Sequence, residues 1–251
     1  MTSRFAIISC SHKVDYFNKN VVASLPDDPE LLQIILVDNT GNQYSVPQAL
    51  NIGMAQADAQ VLIFCHHDIV FPLNWLQTLQ NQMDVIERDD KNWGVLGVMG
   101  VGNNGSGIGS IADPYSTRKL GQLPSAVQSL DEVCLIVKSG NGFRFDEDLG
   151  GFHLYGADLC LQSHNMGMKC YGIEATLQHL SAGALDRTFF DIASKLRKKW
   201  SRVSGSPLTI ETTCGVFALR ENFFAKFIAA LKIVRRKFCW GMGSLRDLSK
   251  L

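Results

Sequence analysis

The stretch VLIFCHHDIVFPLNWL, residues 61–76, decides the predicted fold. A run of five apolar residues leads directly into His66, His67 and Asp68, after which the chain becomes apolar again. Polar side chains at the end of a buried strand lose hydration and need partners or a ligand to compensate. The pattern therefore predicts a buried strand whose end carries functional groups.

Alternating strand and helix patterns surround this stretch. In chain order, strands are predicted at residues 4–12, 31–38, 59–68 and 92–102, with helices at 46–57 and 72–90. This order is typical of βαβ units, in which helices cover both faces of a parallel sheet. Ligands of such sheets bind at the carboxyl ends of the strands. Asp38 and the His66–Asp68 group end two of these strands, so we expect them to lie along one rim.

The composition is that of a folded globular protein, with 46% hydrophobic and 19% charged residues among 251. Its seven cysteines are odd in number and form no CxxC pair, which favours reduced thiols and a cytoplasmic location. The apolar stretch near the N-terminus is too short for a signal peptide. No run approaches the ~20 apolar residues that span a bilayer.

The net charge of zero conceals a division of the chain into two regions. Residues 1–185 contain ten Lys and Arg against nineteen Asp and Glu, whereas residues 186–251 contain fourteen against five. The pattern predicts an α/β domain over residues 1–185 and a basic helical extension over residues 186–251. Basic residues in the extension favour an anionic partner.

The second helix predicted in the extension, within ENFFAKFIAALKIVRRKFCW, is amphipathic. Its apolar face contains Phe223, Phe224, Phe227, Ile228, Leu231 and Val234. Its positive charge comes from Lys226, Lys232, Arg235, Arg236 and Lys237. Two interpretations stay open: the helix packs on the domain, or it makes a peripheral contact with anionic lipid at the inner face of the membrane. No nucleic-acid reader motif is present, so no nucleic-acid partner is expected.

The segment GVGNNG, residues 100–105, matches the GxGxxG pattern of dinucleotide-binding proteins. That pattern requires the third glycine to open a helix at the start of a βαβ unit. Here SGIGSIADPY follows, which is too rich in Gly and Pro for that helix. We therefore predict a flexible loop over residues 100–109.

The group His66–His67–Asp68 has two interpretations. Asp68 could cap the helix that follows it. Alternatively, an aspartate and an imidazole at a strand end offer oxygen and nitrogen ligands to Mn²⁺ or Mg²⁺. Such ions neutralise charge on phosphate leaving groups.

From Phe5 to about Gly183, the chain resembles the family-two glycosyltransferases with the GT-A fold. Four pieces carry the resemblance in the family's order: FAIISCSH, IILVDNTG, ALNIGMAQADAQVLIFCHHDIVFPLNWL and FRFDEDLGGFHLYGADLCLQSHNMGMKCYGIEATLQHLSAG. Each piece is weak alone, but four in order over this length are specific. The resemblance implies a mostly parallel central sheet with helices on both faces, with a nucleotide-sugar half at residues 1–110 and an acceptor half at residues 111–185.

The resemblance also assigns residues to the donor. Asp38 would contact the nucleotide base, and Ser9 and Asn51 would help bind the nucleotide sugar. Asp68 falls on the last aspartate of the family's DxD motif, which ligates the metal. His66, which the resemblance groups with the nucleotide-sugar-binding residues, replaces the first aspartate, the carboxylate that helps hold the ribose and the metal in the family. With this replacement the resemblance does not imply strict metal dependence. This HxD form resembles a subset of capsule and antibiotic-biosynthesis transferases.

Two downstream residues complete the implied site. His179 matches the family's later histidine, a second metal or diphosphate contact, although a surface loop histidine is the alternative. Asp158 matches the general base of inverting enzymes, which removes the proton from the acceptor hydroxyl. Asp158 could instead stabilise the N-terminus of its helix.

The sequence thus predicts an inverting, metal-assisted glycosyltransferase acting on a nucleotide diphosphate sugar and a glycan or lipid-linked acceptor, in polysaccharide or glycoconjugate synthesis. A non-catalytic sugar-nucleotide-binding or scaffold protein on the same fold is the alternative. A nucleotidyltransferase fits less well, because SCSHKVDYF after the first strand lacks the glycines of a phosphate-binding loop.

Overall fold

The structure is a computed structural model that describes residues 2–181 and 187–239, with side chains as far as residue 236. In chain order its elements are β1 (Ser3–Ser11), α1 (Val14–Asn20), a 3₁₀ turn (Val22–Ser24), β2 (Leu32–Asp38), α2 (Val46–Gln56), β3 (Ala59–Cys65), β4 (Ile69–Val70), α3 (Trp75–Glu87), β5 (Leu96–Gly97), β6 (Met99–Gly102), β7 (Gly107–Asp113), β8 (Ser116–Leu120), β9 (Ser125–Leu130), β10 (Cys134–Lys138), α4 (Tyr155–Asn165), β11 (Cys170–Gly172), β12 (Gln178–His179), α5 (Thr188–Ser201), β13 (Thr209–Glu211), β14 (Val216–Ala218) and α6 (Phe223–Cys239).

The predicted α/β class is confirmed. Twelve strands form one sheet in the order β2-β1-β3-β10-β5-β11-β9-β6-β7-β12-β4, with β8 added on β7. Strands β2, β1 and β3 are parallel, as the alternating pattern predicted. Strand β10 runs antiparallel to β3, and most later ladders are also antiparallel. Strands β1, β2 and β3 thus form the longest continuous parallel part of the sheet, and the candidate donor residue Asp38 lies at its carboxyl end.

Helices cover both faces of this sheet, and strand β3 is therefore buried on both sides. Val61 and Ile63 pack in the cluster that contains residues of α1 and α3. Leu62 and Phe64 pack in the opposite cluster, which contains residues of α2 and α4. A strand with two buried faces has a continuous apolar sequence rather than an alternating one.

The N-termini of α2 and α3 differ in whether a side chain caps them. Helix α2 begins with a capping box, in which Gln48 N donates to Ser45 Oγ while Ser45 N donates to the Gln48 side chain. Asn74 precedes α3 in a left-handed conformation, and its side chain makes no capping hydrogen bond. Helix α3 is held instead by Trp75, whose indole Nε1 donates to the Ala175 carbonyl at 2.9 Å.

The prediction of a flexible loop over residues 100–109 is wrong. These residues belong to an antiparallel hairpin of β6 and β7. The glycines serve close packing: at Gly109, which has a φ of +140°, a Cβ atom would lie 2.2 Å from the Val98 carbonyl oxygen. The neighbouring backbone therefore requires glycine at this position.

The C-terminal extension contains both predicted helices, α5 and α6, and also an unpredicted hairpin of β13 and β14. The extension shares a third hydrophobic cluster with α4 and the loop before it. Its buried members are Leu149, Leu154, Ala157, Leu161, Phe189, Ile192, Leu196, Trp200, Ile210 and Leu219. The division of the chain at residue 185 stays a prediction.

Among the helices in the described part of the chain, none combines the length and the apolar character needed to cross a membrane.

Replacement of Gly53 by alanine tests the contact between α2 and the parallel strands. The new Cβ would lie 2.4 Å from Ile8 Cγ2 in the buried interface. Overpacking costs about 1–3 kcal/mol and exceeds the ~1 kcal/mol that alanine gains over glycine in a helix. We expect Gly53→Ala to lower the free energy of unfolding in urea, and exposed Gln56→Ala on the same helix to leave it nearly unchanged. An unchanged midpoint for Gly53→Ala would contradict the tight contact.

Candidate functional site

The site lies where the parallel strands end. Ser11 and Asp38 are paired at the carboxyl ends of β1 and β2, and β3 leads directly into His66. The short strands β4 and β12 pair antiparallel, with His179 opposite Ile69. This pairing, together with the hydrogen bond from Leu180 N to the Asp68 carbonyl, places His179 beside Asp68.

His66, Asp68 and His179 form one cluster that could hold a metal ion. Two of its members, Asp68 and His179, are the predicted metal residues, and the sequence analysis grouped His66 with the nucleotide-sugar residues. Their ligand atoms all lie within 4.8 Å of one another. His179 Nε2 is 3.4 Å from Asp68 Oδ1, and His66 Nδ1 is 3.9 Å from the same oxygen. Asp68 is 7% exposed, so its carboxylate faces the two imidazoles rather than bulk water.

The charges of the cluster suit a cation. Burial alone would raise the pKa of Asp68, but hydrogen bonds from His179 and Ser181 and the proximity of the two imidazoles hold the pKa well below its usual range. Burial and the proximity of His179 lower the pKa of His66 to about 4. At neutral pH the cluster therefore offers a carboxylate and a neutral His66 imidazole, which are the forms that bind metals.

The donor set itself fits a divalent transition metal. Two imidazole nitrogens and one carboxylate oxygen suit Mn²⁺ better than Mg²⁺, which prefers oxygen ligands and retains several waters. The interpretation of Asp68 as a helix cap is not needed, because Asp68 precedes β4 and not α3.

His67 belongs to a different group from His66, although the two are adjacent. Its Nδ1 is 2.8 Å from Ser11 Oγ, and its ring packs against those of His12 and Tyr16. Burial lowers the pKa of His67. Neither Ser11 nor Tyr16 was predicted as a site residue, since a single serine or tyrosine after a strand has no distinctive spacing.

Asp38 is exposed at the same rim. Thr40 donates to Asp38 Oδ1 through its hydroxyl at 2.6 Å and its backbone N at 2.8 Å. These hydrogen bonds lower the pKa of Asp38, so the carboxylate is ionised. Thr40 also lines an open depression of about 590 Å³, whose other lining residues are His12, Lys13, Val14, Asp15, Tyr16 and Lys19.

Ser9 and Asn51, the other predicted nucleotide-sugar residues, are buried. Ser9 lies inside β1 with no exposed surface, and its hydroxyl has no hydrogen-bond partner among the described residues. Asn51 donates to the Phe145 carbonyl and to Glu147, and accepts from Phe145 N at 3.0 Å. Asn51 therefore joins α2 to the loop before α4.

Asp158, the predicted base, lies in the first turn of α4 and is 1% exposed. Its carboxylate accepts hydrogen bonds from Trp200 Nε1 at 2.7 Å and from Gln162 Nε2 at 2.8 Å. Lys199 Nζ is 2.8 Å from Asp158 and 2.8 Å from Asp146. In this arrangement α5 covers Asp158.

Another carboxyl group, Glu132, lies between the cluster and α4. The residue after it, Val133, accepts a backbone hydrogen bond from His66, while Glu132 Oε1 accepts from Gly156 N at 3.3 Å. Burial and the neighbouring Asp131 raise the pKa of Glu132 to about 8. The sequence analysis missed this residue, because its environment depends on contacts with α4.

Comparison with known proteins identifies the fold. No protein-family model matches the chain. A curated protein described as "ATP synthase subunits region ORF 6", from Fuscovulum blasticum, is 29% identical over 182 residues, which is 69% of this chain and 73% of that protein.

Two crystal structures share the architecture at 12% sequence identity. GalNAc-T7 with UDP, GalNAc and Mn²⁺ matches 80% of this chain with a TM-score of 0.52. This chain covers 48% of the GalNAc-T7 chain, about half its length. TarS 1-349 of S. aureus matches 98% of this chain and 76% of its own, with a TM-score of 0.51. The protein therefore has the GT-A glycosyltransferase fold.

Loss of a cluster side chain tests the candidate metal site. We expect Asp68→Asn and His179→Ala each to weaken Mn²⁺ binding by about tenfold or more, because the first removes the negative charge of the carboxylate and the second removes a nitrogen ligand. Electron paramagnetic resonance of free Mn²⁺ measures the affinity directly. His164→Ala, which changes a histidine outside the cluster, is the control. Equal affinity in all four proteins would exclude this site.

Proposed function

We propose that this protein is an inverting glycosyltransferase that moves a sugar from a nucleotide diphosphate sugar to an acceptor hydroxyl. The observation that carries the proposal is the His66–Asp68–His179 cluster, which lies at the carboxyl-end rim of a GT-A sheet. GT-A neighbours include an enzyme crystallised with UDP, GalNAc and Mn²⁺. The proposal assigns the same class of donor to this chain.

The nucleoside part of the donor is proposed to occupy the depression next to Asp38. Asp38 would accept hydrogen bonds from the base, and Tyr16 offers an aromatic surface beside it. Lys13 and Lys19 line the same depression and carry charge complementary to a diphosphate. Direct donor contacts by Ser9 or Asn51 would require these buried side chains to become exposed. We therefore propose that both residues stabilise the elements that carry the site and do not contact the donor.

His66, Asp68 and His179 are proposed to hold the metal, and we propose Mn²⁺ as the preferred ion because two ligands are nitrogens. When bound, the ion supplies electrostatic stabilisation of the departing nucleoside diphosphate. The replacement of an aspartate by His66 reduces the negative charge of the ligand set. We therefore expect weaker binding of Mg²⁺ than of Mn²⁺.

The chemistry requires a base, because a sugar hydroxyl is a poor nucleophile until its proton is removed. We propose Asp158 for this role, on the family resemblance, with the condition that Lys199 and Trp200 withdraw from its carboxylate when the acceptor binds. Glu132 is the alternative, because a carboxyl group with a pKa of about 8 can exchange a proton near neutral pH.

The acceptor is proposed to be a glycan or a lipid-linked sugar in polysaccharide or glycoconjugate synthesis. Reduced cysteines are consistent with a cytoplasmic site for this reaction. The resemblance to HxD-bearing capsule and antibiotic-biosynthesis enzymes is the basis for this choice.

Donor binding is tested by thermal shift with UDP-, GDP- and dTDP-sugars in the presence of Mn²⁺ or Mg²⁺. We expect one nucleotide to raise the unfolding temperature, and more so with Mn²⁺. Asp38→Ala should reduce that rise, because it removes the proposed contact with the base. Asp27→Ala, also at an exposed position, should leave the rise unchanged. If no sugar nucleotide stabilises the wild-type protein, the proposed donor class is wrong.

The identity of the base is tested by comparing Asp158→Asn, Glu132→Gln and Lys199→Met in turnover and thermal unfolding. The base variant should lose about 100-fold or more in turnover while it still binds the nucleotide. Lys199→Met keeps the Asp158 carboxylate, so it should retain turnover if Asp158 is the base.

The same variants distinguish the alternatives. If Asp158 only anchors α5, Asp158→Asn and Lys199→Met will lower the unfolding temperature together, and turnover will follow the folded fraction. If wild-type protein binds donors but transfers no sugar to any acceptor, the non-catalytic sugar-nucleotide-binding protein is the better description.

A further inference from the structure

In an ordinary packed helix the large apolar side chains face the protein. In helix α6 most of them face solvent. Its buried face consists of two small residues, Ala225 at 0% and Ala229 at 7% exposure, and of Arg236, which is also 7% exposed. Its large apolar residues face solvent. These exposed residues are Phe223 (83%), Phe224 (59%), Phe227 (50%), Leu231 (55%), Ile233 (41%) and Val234 (53%).

Buried polar contacts fix this orientation. Glu211 on β13 is 1% exposed, and Arg235 donates to both of its carboxylate oxygens at 2.9 Å. Lys232 is 3.2 Å from the same carboxylate, and Arg236 donates to the Thr212 and Thr213 carbonyls. Rolling the helix to bury its apolar face would leave Glu211 unpaired, so the exposed face is part of the folded state.

Five of these six exposed apolar residues form one continuous stripe. At 100° per residue, Phe223, Phe224, Phe227, Leu231 and Val234 fall within an arc of about 100°. The rings of Phe223 and Phe227 stack, with centroids 6.2 Å apart. Contiguous apolar surface of this kind marks an interaction site.

The charge of the helix identifies the partner. Residues 223–239 contain five Lys and Arg and no Asp or Glu. Three of the five make the contacts with Glu211 and the threonine carbonyls described above. The extension as a whole contains fourteen basic against five acidic residues. Lys226 is exposed on α6. An aromatic stripe in a basic segment matches the boundary between anionic headgroups and acyl chains, where helices lie in the plane of the interface.

We propose that α6 docks on the surface of an anionic lipid bilayer, with the stripe from Phe223 to Val234 inserted at the headgroup boundary. The helix lies on the bilayer and does not cross it. The peripheral membrane contact was one of the two interpretations of this helix from the sequence. The proposal places that contact on one face of α6. It stands on the surface of α6 and is independent of the donor chemistry.

The test is flotation of the full chain with vesicles of phosphatidylcholine alone and with vesicles in which about 30% of the lipid is phosphatidylglycerol, whose headgroup gives the surface a negative potential. We expect wild-type protein to float with the anionic vesicles. The triple variant Phe223→Ser/Phe227→Ser/Leu231→Ser should bind about tenfold less, because the inserted side chains are lost. Lys226→Glu should weaken binding to anionic vesicles.

A matched control changes three exposed apolar residues elsewhere, as Leu73→Ser/Tyr115→Ser/Met166→Ser, which are 90%, 72% and 51% exposed. It should float like wild type. Circular dichroism and donor binding by thermal shift, measured on every variant, show that the fold and the donor site are intact. Failure of donor binding with normal flotation would count against the proposed function alone.

Three results would overturn the membrane proposal. One is wild-type protein that stays at the bottom of the gradient with both vesicle types. Another is equal flotation of the wild type and the stripe variant. The third is wild-type protein that binds no vesicle and is dimeric by light scattering, while the stripe variant is monomeric. That result would assign the stripe to an interface between two copies of the chain.

Discussion

The buried carboxylate of Asp68 is the constraint on which the site depends. A carboxylate with 7% exposure at the end of the central strand costs several kcal/mol unless opposite charge or hydrogen bonds compensate for it. The compensation comes from His179 at 3.4 Å, which reaches Asp68 only because β12 pairs with β4. The sheet thereby brings together two segments that are far apart in the chain, and their ligand atoms are close enough to share one cation.

The two adjacent histidines have separate environments because a strand end directs successive side chains to opposite sides. His66 faces Asp68 and His179, whereas His67 contacts Ser11, His12 and Tyr16. The first group is suited to a cation and the second borders the depression next to Asp38. The two groups lie at one rim, which is the basis for proposing a donor that contacts both.

The sequence predicted those features that depend on local periodicity or on the family's order of motifs. The run from Val61 to Cys65 predicted a buried strand, and the resemblance predicted His179 as a partner of Asp68. The sequence could not predict that the Asp158 carboxylate would be buried. The side chains that cover it, Lys199 and Trp200, belong to the C-terminal extension, and no sequence motif indicates how that extension packs. The role of Gly109 was missed for a similar reason: close contact with the Val98 carbonyl requires glycine, and a glycine-rich sequence alone resembles a loop.

The extension shows why amphipathicity alone does not predict which face of a helix is buried. Periodicity correctly placed the large apolar residues of α6 on one face, but the direction of that face is set by Glu211 and by the small residues Ala225 and Ala229. Separating both Arg235 and Lys232 from Glu211 would leave a buried charge uncompensated, at a cost of about 3–5 kcal/mol. Inserting the apolar face into the protein would therefore have to overcome this ion pair as well as the loss of close packing at the alanines. The polar contacts thus keep the apolar stripe exposed, uncovered by the part of the chain that the structure describes.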